Sequence, residues 1–308
     1  MSLITPKELY AHAMREGYTV GAFNVANLEM LQAVIGAAEA EKSAAFIMVS
    51  MGARKYVKDL NKYVKIMRMY AEDSPMPFVV HHDHCQTVEN AIEAIDAGCQ
   101  SVMFDGSHHD FETNIALTAK VAEYAHDHGA WVEAELGCLP GFEDMVFSEK
   151  AVFTDPAMAE EFVARSHCDC LAIAAGTSHG GVQAPDYLFL DIDLIEKIHQ
   201  TLPGFPLVLH GAASLPPALI DACNAQGGQV EYLKNCSEEA IREASFHGVC
   251  KANMDVDNFL KFTTAIRKFF RETPAIYDPR KYLAPARAEF EDEVRHKMRN
   301  VLRSADRF

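Results

Sequence analysis

Short apolar, β-branched runs alternate with longer stretches of helical periodicity along the whole chain. Repeated βα units around a parallel sheet produce that pattern. The apolar runs predict strands at Val20–Val25, Ala45–Val49, Phe78–His82, Ser101–Asp105, Trp131–Glu135, Cys170–Ala174, Leu207–His210 and Val249–Met254, eight in all. Helical periodicity marks segments such as Leu28–Lys42, Thr87–Ala97, Phe111–His128 and Ile192–Thr201, and Gly98, Gly129 and Gly204 sit where helices should stop. Two connections, 137–156 after the fifth strand and 214–238 after the seventh, exceed the usual length of a βα loop. Long loops on that face tend to act as lids. Two more helical runs, 258–271 and 284–303, follow the eighth strand, parted by a turn from Pro274 to Pro279. The expected fold is α/β: a single (β/α)8 TIM barrel over residues 1–308 with a C-terminal helical extension.

Composition narrows the function classes. A chain of 308 residues with 49% hydrophobic and 23% charged residues suits one large globular core. A formal charge of −16 argues against a nucleic-acid surface, so any anion must be bound locally. There is no apolar run of about eighteen residues, and Met1 to Leu9 lacks the charged and apolar regions of a signal peptide. No membrane partner is expected, and the expected location is the cytoplasm. The eight cysteines are scattered and are read as reduced thiols; Cys168-Asp169-Cys170 does not have zinc-knuckle spacing.

A barrel enzyme carries its chemistry at the C-terminal ends of its strands. Here those ends are polar: Asn24, Ser50, His81-His82-Asp83-His84, Asp105, Glu133 and Glu135, Ser178-His179-Gly180, His210-Gly211, and Asn253 with Asp255. So many buried polar groups make little sense as packing alone. One strand-end histidine would pass as a hydrogen-bonded structural group. His84, His179 and His210, converging from three strand ends with carboxylates between them, read as the ligands of a catalytic Zn²⁺ or similar ion. The remaining histidines lie in helices or loops and carry no such reading.

His81-His82-Asp83-His84-Cys85 resembles the H-x-D-H motif of class II fructose-bisphosphate aldolases. Five further runs resemble the same family in the same order: Ser101 to His108, Val132 to Gly137, Gly176 to Gly180, Leu209 to Ala212 and Asn253 to Asp257, followed by Asp278 to Leu283. The resemblance implies a metal-dependent aldolase that cleaves the C3–C4 bond of a ketose phosphate, with fructose 1,6-bisphosphate the first expectation. It implies Zn²⁺, or another divalent cation such as Co²⁺ or Fe²⁺, with a monovalent cation as a further expectation. Asp83 would be the general base on the C4 hydroxyl and Glu143 the loop acid that exchanges the proton at C3. Glu135 would be an alternative metal ligand. Asn24, Ser50, Gly180, Gly211, Ser214, Asn253 and Asp255 would bind substrate or orient ligands. Arg280 resembles a ligand for the distal phosphate that is contributed across a subunit boundary, which implies a homodimer or homotetramer.

Three positions depart from the family pattern: Gln183 stands where a lysine is common, and Ala213 and Val256 where hydroxyl residues are common. All three fall on the cradle that in the family receives the C1 phosphate. An aldolase for a related ketose, tagatose-type or lacking or replacing the C1 phosphate, is therefore an alternative. Two others are a Schiff-base aldolase using Lys251 and a non-catalytic sugar-phosphate-binding barrel.

Overall fold

Barrel strands are covered on both faces, one by the side chains on the axis and the other by the surrounding helices, so they must be apolar on both. The chain meets this condition in a computed structural model that describes residues 3–143, 146–148, 151–183 and 188–308, with the backbone alone for 142–143 and 146–148. Its first half runs α1 (Pro6–Glu16), β1 (Val20–Asn24), α2 (Leu28–Glu41), β2 (Ala45–Val49), α3 (Met51–Val57), α4 (Leu60–Asp73), β3 (Phe78–Cys85), α5 (Val88–Ala97), β4 (Ser101–Phe104), α6 (Phe111–Asp127) and β5 (Trp131–Leu136). The second half runs β6 (Gly141–Glu143), β7 (Val146–Ser148), α7 (Pro156–Ser166), β8 (Cys170–Ile173), α8 (Ile192–Thr201), β9 (Leu207–Leu209), α9 (Pro217–Asn224), α10 (Glu238–Ala244), β10 (Val249–Met254), α11 (Val256–Glu272) and α12 (Pro279–His296). Eight parallel strands close in the order β1-β10-β9-β8-β5-β4-β3-β2. These are the eight strands the sequence predicts.

The axis changes character along its length because a strand repeats its facing every second residue. Val20, Ala22, Phe46, Met48, Val79, Cys170, Ala172 and Val208 form one apolar cluster with Leu9, Tyr10 and Ala13 of α1. Tyr10 packs on Phe46 and Trp131, with ring centroids at 5.5 and 5.8 Å, so α1 plugs the N-terminal end of the barrel. A capping box between Thr5 and Glu8, with Pro6 in the first turn, starts that helix. Two residues beyond the apolar layer stand Asn24, Ser50, His81 and His210. The same alternation that fills one end with hydrocarbon thus fills the other with polar groups.

Three connections differ from expectation. The 137–156 segment contains an antiparallel hairpin, β6 with β7. The 214–238 segment contains α9, begun by Pro216-Pro217 and held by Leu219, Ile220 and Cys223 against Leu260 of α11. The C-terminal helices start earlier than their apolar periodicity suggests, because Asp255 and Asp278 cap them. α12 runs on into a π-helical turn at Lys297–Val301.

Phe290, Val294 and Met298 of this extension belong to the same core cluster as Leu31 and Val34 of α2 and Ile47 of β2. Phe290→Ala, at a position with 0% exposure, is expected to cost about 3–5 kcal/mol. Because the cluster is shared, urea unfolding followed by fluorescence and by circular dichroism should shift as one transition. A separate early transition would contradict the single-domain organisation.

Candidate active site

In a regular strand Asp83 and His84 would face opposite sides. β3 avoids this: its register with β4 slips between His82 and Cys85, and His84 takes φ +46°. Such a bulge re-aims side chains, and a non-glycine residue in the left-handed region is a strained conformation that the surroundings must hold. As a result Asp83 and His84 line the same recess, together with Asn24, His179, His210 and Asn253. Gly180, Gly211 and Asp255 complete its wall.

His84, His179 and His210 bring nitrogen atoms that all lie within 4.8 Å of one another, and all three residues are buried. Asp105 accepts a hydrogen bond from Nδ1 of His84 at 3.0 Å and is itself held by the backbone amide and hydroxyl of Ser107 at 3.1 and 2.6 Å. A carboxylate can only accept, so His84 carries its proton on Nδ1 and its other nitrogen is left to act as a ligand. His210 lies between Glu133, at 2.7 Å from Nε2, and Glu135, at 3.1 Å from Nδ1. Carboxylates behind imidazoles are the arrangement that orients metal-binding histidines. The donor set fits a divalent ion such as Zn²⁺, Co²⁺ or Fe²⁺.

The charges around these groups are set by burial and by each other. Burial would raise the Asp83 carboxyl, but His84, Lys251, His210 and His81 hold it down at about 2. Two amides clamp it as well: Nδ2 of Asn253 donates to one oxygen at 3.0 Å and Nδ2 of Asn24 to the other at 3.3 Å. Burial and the neighbouring His84 and His210 push His179 well below the ordinary imidazole value, which keeps it neutral as a ligand must be. Burial also opposes charge on His210, yet its hydrogen bonds to Glu133 and Glu135 push it up to about 9, so an ion bound there would have to displace the proton shared between Nδ1 and Glu135. Burial, reinforced by the charge of Asp105, raises Glu135.

With this geometry in view, the relatives decide the family. Residues 4–307 match the family described as Fructose-bisphosphate aldolase class-II. The chain belongs to that family. Fructose-bisphosphate aldolases of Treponema pallidum and Thermus caldophilus are each 40% identical to it, over 100% and 96% of the chain and 98% and 97% of their own lengths. Among solved structures, the YdjI aldolase of Escherichia coli K12 is 28% identical with a TM-score of 0.80, covering 99% of this chain and 98% of its own. A putative fructose-1,6-biphosphate aldolase of Coccidioides immitis is 27% identical, also at 0.80, over 98% and 96%. As a class II aldolase the chain is a carbon–carbon lyase, of a family that is generally metal-dependent.

Not every expected site residue reaches the recess of this class II aldolase. Ser50 caps α3, accepting from the Ala53 amide at 3.3 Å. Ser214 is buried and gives its backbone amide to Asp257 at 3.2 Å. Arg280 is exposed at the start of α12, where it pairs with Asp278 at 2.8 Å. Glu143 belongs to β6, and its side chain lies outside the described residues. The hairpin that carries it is tied to a histidine of the cluster, because Gly141 bridges His179 so closely that a Cβ would come within 2.1 Å of the His179 carbonyl oxygen.

The Schiff-base alternative does not survive. Lys251 has 0% exposure and donates to both oxygens of Glu133 at 2.8 and 3.1 Å, deep on the axis beside Phe46. The sequence names both residues as strand positions but gives no sign that they pair behind His210. Lys251→Met should leave the buried Glu133 carboxylate without its ammonium partner, held by His210 alone among the cationic groups, at a cost of roughly 3–5 kcal/mol. Urea denaturation would measure it. Borohydride added with substrate to the wild type should trap no adduct; a stable adduct at Lys251 would restore the lysine mechanism.

Proposed function

We propose that this aldolase depends on a divalent metal ion held by His84, His179 and His210, with Glu135 as an alternative ligand, and that it cleaves a ketose phosphate, fructose 1,6-bisphosphate first among them. The observation that carries the reading is the meeting of three buried imidazoles with a doubly clamped carboxylate, Asp83, in one recess. When bound, the ion supplies Lewis-acid polarisation of the ketose oxygens next to the breaking bond. Asp83, ionised and pinned by Asn24 and Asn253, accepts the proton of the C4 hydroxyl. The C4–O bond becomes a carbonyl, and the electron pair of the C3–C4 bond passes to C3. Glu143 then delivers a proton to C3. Asp255 and the amides at Gly180 and Gly211 hold the substrate chain, since backbone amides turned into a recess by left-handed glycines can cradle an anion.

The purified protein should hold about one divalent ion per chain. His84→Ala, His179→Ala and His210→Ala should each release it, as read by metal analysis after dialysis. Asp83→Asn should keep metal and fold while lowering turnover by about a hundredfold or more. Full metal occupancy in two of the histidine variants would overturn the ligand assignment, and metal loss in Asp83→Asn would make Asp83 a support for a ligand.

We also propose a homodimer or homotetramer in which Arg280 reaches the distal phosphate of a neighbouring subunit. Its 88% exposed side chain, beside Tyr277 at 90% exposure, supports a surface made for a second copy. Sedimentation should show an oligomer, and Arg280→Ala should raise KM for a substrate with a distal phosphate. An active monomer would refute this.

The C1 subsite should be the permissive one. Gln183 is exposed and engaged with Glu231 at 3.0 Å, Ala213 is buried without a polar side chain, and at Val256 only the backbone amide is polar. A remote phosphate raises specificity only where donors meet it. The unphosphorylated C1 analogue is therefore expected to compete unusually well. A C1-phosphate preference above about a thousandfold, more than about 4 kcal/mol, in competition kinetics would show that the cradle is intact.

A further inference from the structure

The loops that follow β8 and β9 each carry one histidine of the cluster, His179 and His210, and they touch. A Cβ at Gly211, where φ is +56°, would fall 2.3 Å from the carbonyl oxygen of Ser178, so only glycine lets the two backbones come this close. Close approach leaves backbone groups shut away from water and in need of partners. A third loop provides them through one side chain. Asn235 has 0% exposure; its Nδ2 donates to the Ser178 carbonyl at 2.7 Å and to the Gly211 carbonyl at 2.6 Å, while its Oδ1 accepts from the amides of Ser178 at 3.2 Å and Cys236 at 2.9 Å. Both amide protons and both carbonyl lone pairs are used, which is the full capacity of an asparagine.

We propose that Asn235 is a positioning residue for the metal centre, a clip that fixes the residue before His179 to the residue after His210. This rests on the reading that those histidines hold a divalent ion. A metal site tolerates little looseness in its ligands, and supports that orient ligands typically change metal affinity by roughly 10–100-fold when removed. Ser178 and Gly211 lie in loops beyond the paired part of β8 and β9, which ends at Ala172 and Val208, so the clip and the glycine that admits it help to set their spacing. Asparagine is also the side chain suited to the task. Aspartate lacks the two donors, and leucine of similar size lacks all four functions.

The test compares Zn²⁺ affinity by chelator competition in wild type, Asn235→Asp and Asn235→Ser, with Phe290→Ala as a control destabilised far from the site. Both Asn235 variants are expected to bind Zn²⁺ at least about tenfold more weakly while folded, with aspartate the more affected because its carboxylate would face the Ser178 and Gly211 carbonyls with no donor. The control should bind like wild type. Amide exchange followed by mass spectrometry should rise in peptides covering 176–181 and 210–214 in the variants. Wild-type affinity in either folded variant would overturn the proposal, as would an equal loss in the control. If the wild type itself binds no Zn²⁺ the metal reading has failed; the exchange data then decide separately whether the clip holds the two loops, and unchanged exchange would refute it.

Discussion

A carboxylate shut away from water on the barrel axis must be neutralised, either by taking a proton or by facing a fixed positive charge. Glu133 faces Lys251, and much of the site follows from that pair. With the charge of Lys251 beside it, Glu133 is held well below the usual carboxylate range despite complete burial. An ionised Glu133 accepts from Nε2 of His210, which leaves Nδ1 as the nitrogen turned to Glu135. Lys251 acts on the opposite wall as well, being among the charges that hold Asp83 ionised. One ion pair, itself remote from any substrate, thereby sets the protonation of a proposed ligand and of the proposed base.

The barrel was legible because its physical signal is strong and local. Runs such as Ala45–Val49 can be buried on both faces only in a covered strand, and eight of them alternating with helical stretches leave few other architectures. The polar strand ends were legible for the same reason: nothing in a hydrocarbon layer explains His84, His179 and His210 together. What could not be read was whatever depends on contacts between distant parts of the chain. The slip in β3 that lets Asp83 and His84 face one way leaves no mark in residue type, since His84 is not the glycine that positive φ usually selects. Ser50 shares the polar layer of the axis and also caps α3, a bond to an unpaired helix amide that a strand-end position does not announce. The Glu133–Lys251 pair joins residues 118 positions apart, and Asn235 looks in the sequence like any loop asparagine.

Local preference and global packing agree closely in the elements that frame the site and diverge in those that complete it. Asn27, Thr87, Asp110 and Asp191 cap the starts of α2, α5, α6 and α8, local bonds that need nothing from the rest of the fold. The connections after β5 and β9 were expected as long loops, and both gained regular structure only by packing on something else, α9 on Leu260 of α11 and the hairpin on His179. At the same end His84 takes a positive φ that its side chain disfavours, while Gly141, Gly180 and Gly211 reach theirs without that cost.

The plug formed by α1 has a consequence for traffic. Tyr10, stacked between Phe46 and Trp131, seals one end of the cylinder with an apolar layer. A lyase turns one molecule into two, and both fragments must depart through the doorway by which their parent entered. With the floor closed by that apolar layer, this traffic falls to the opposite, polar end of the axis, where His84, His179 and His210 lie.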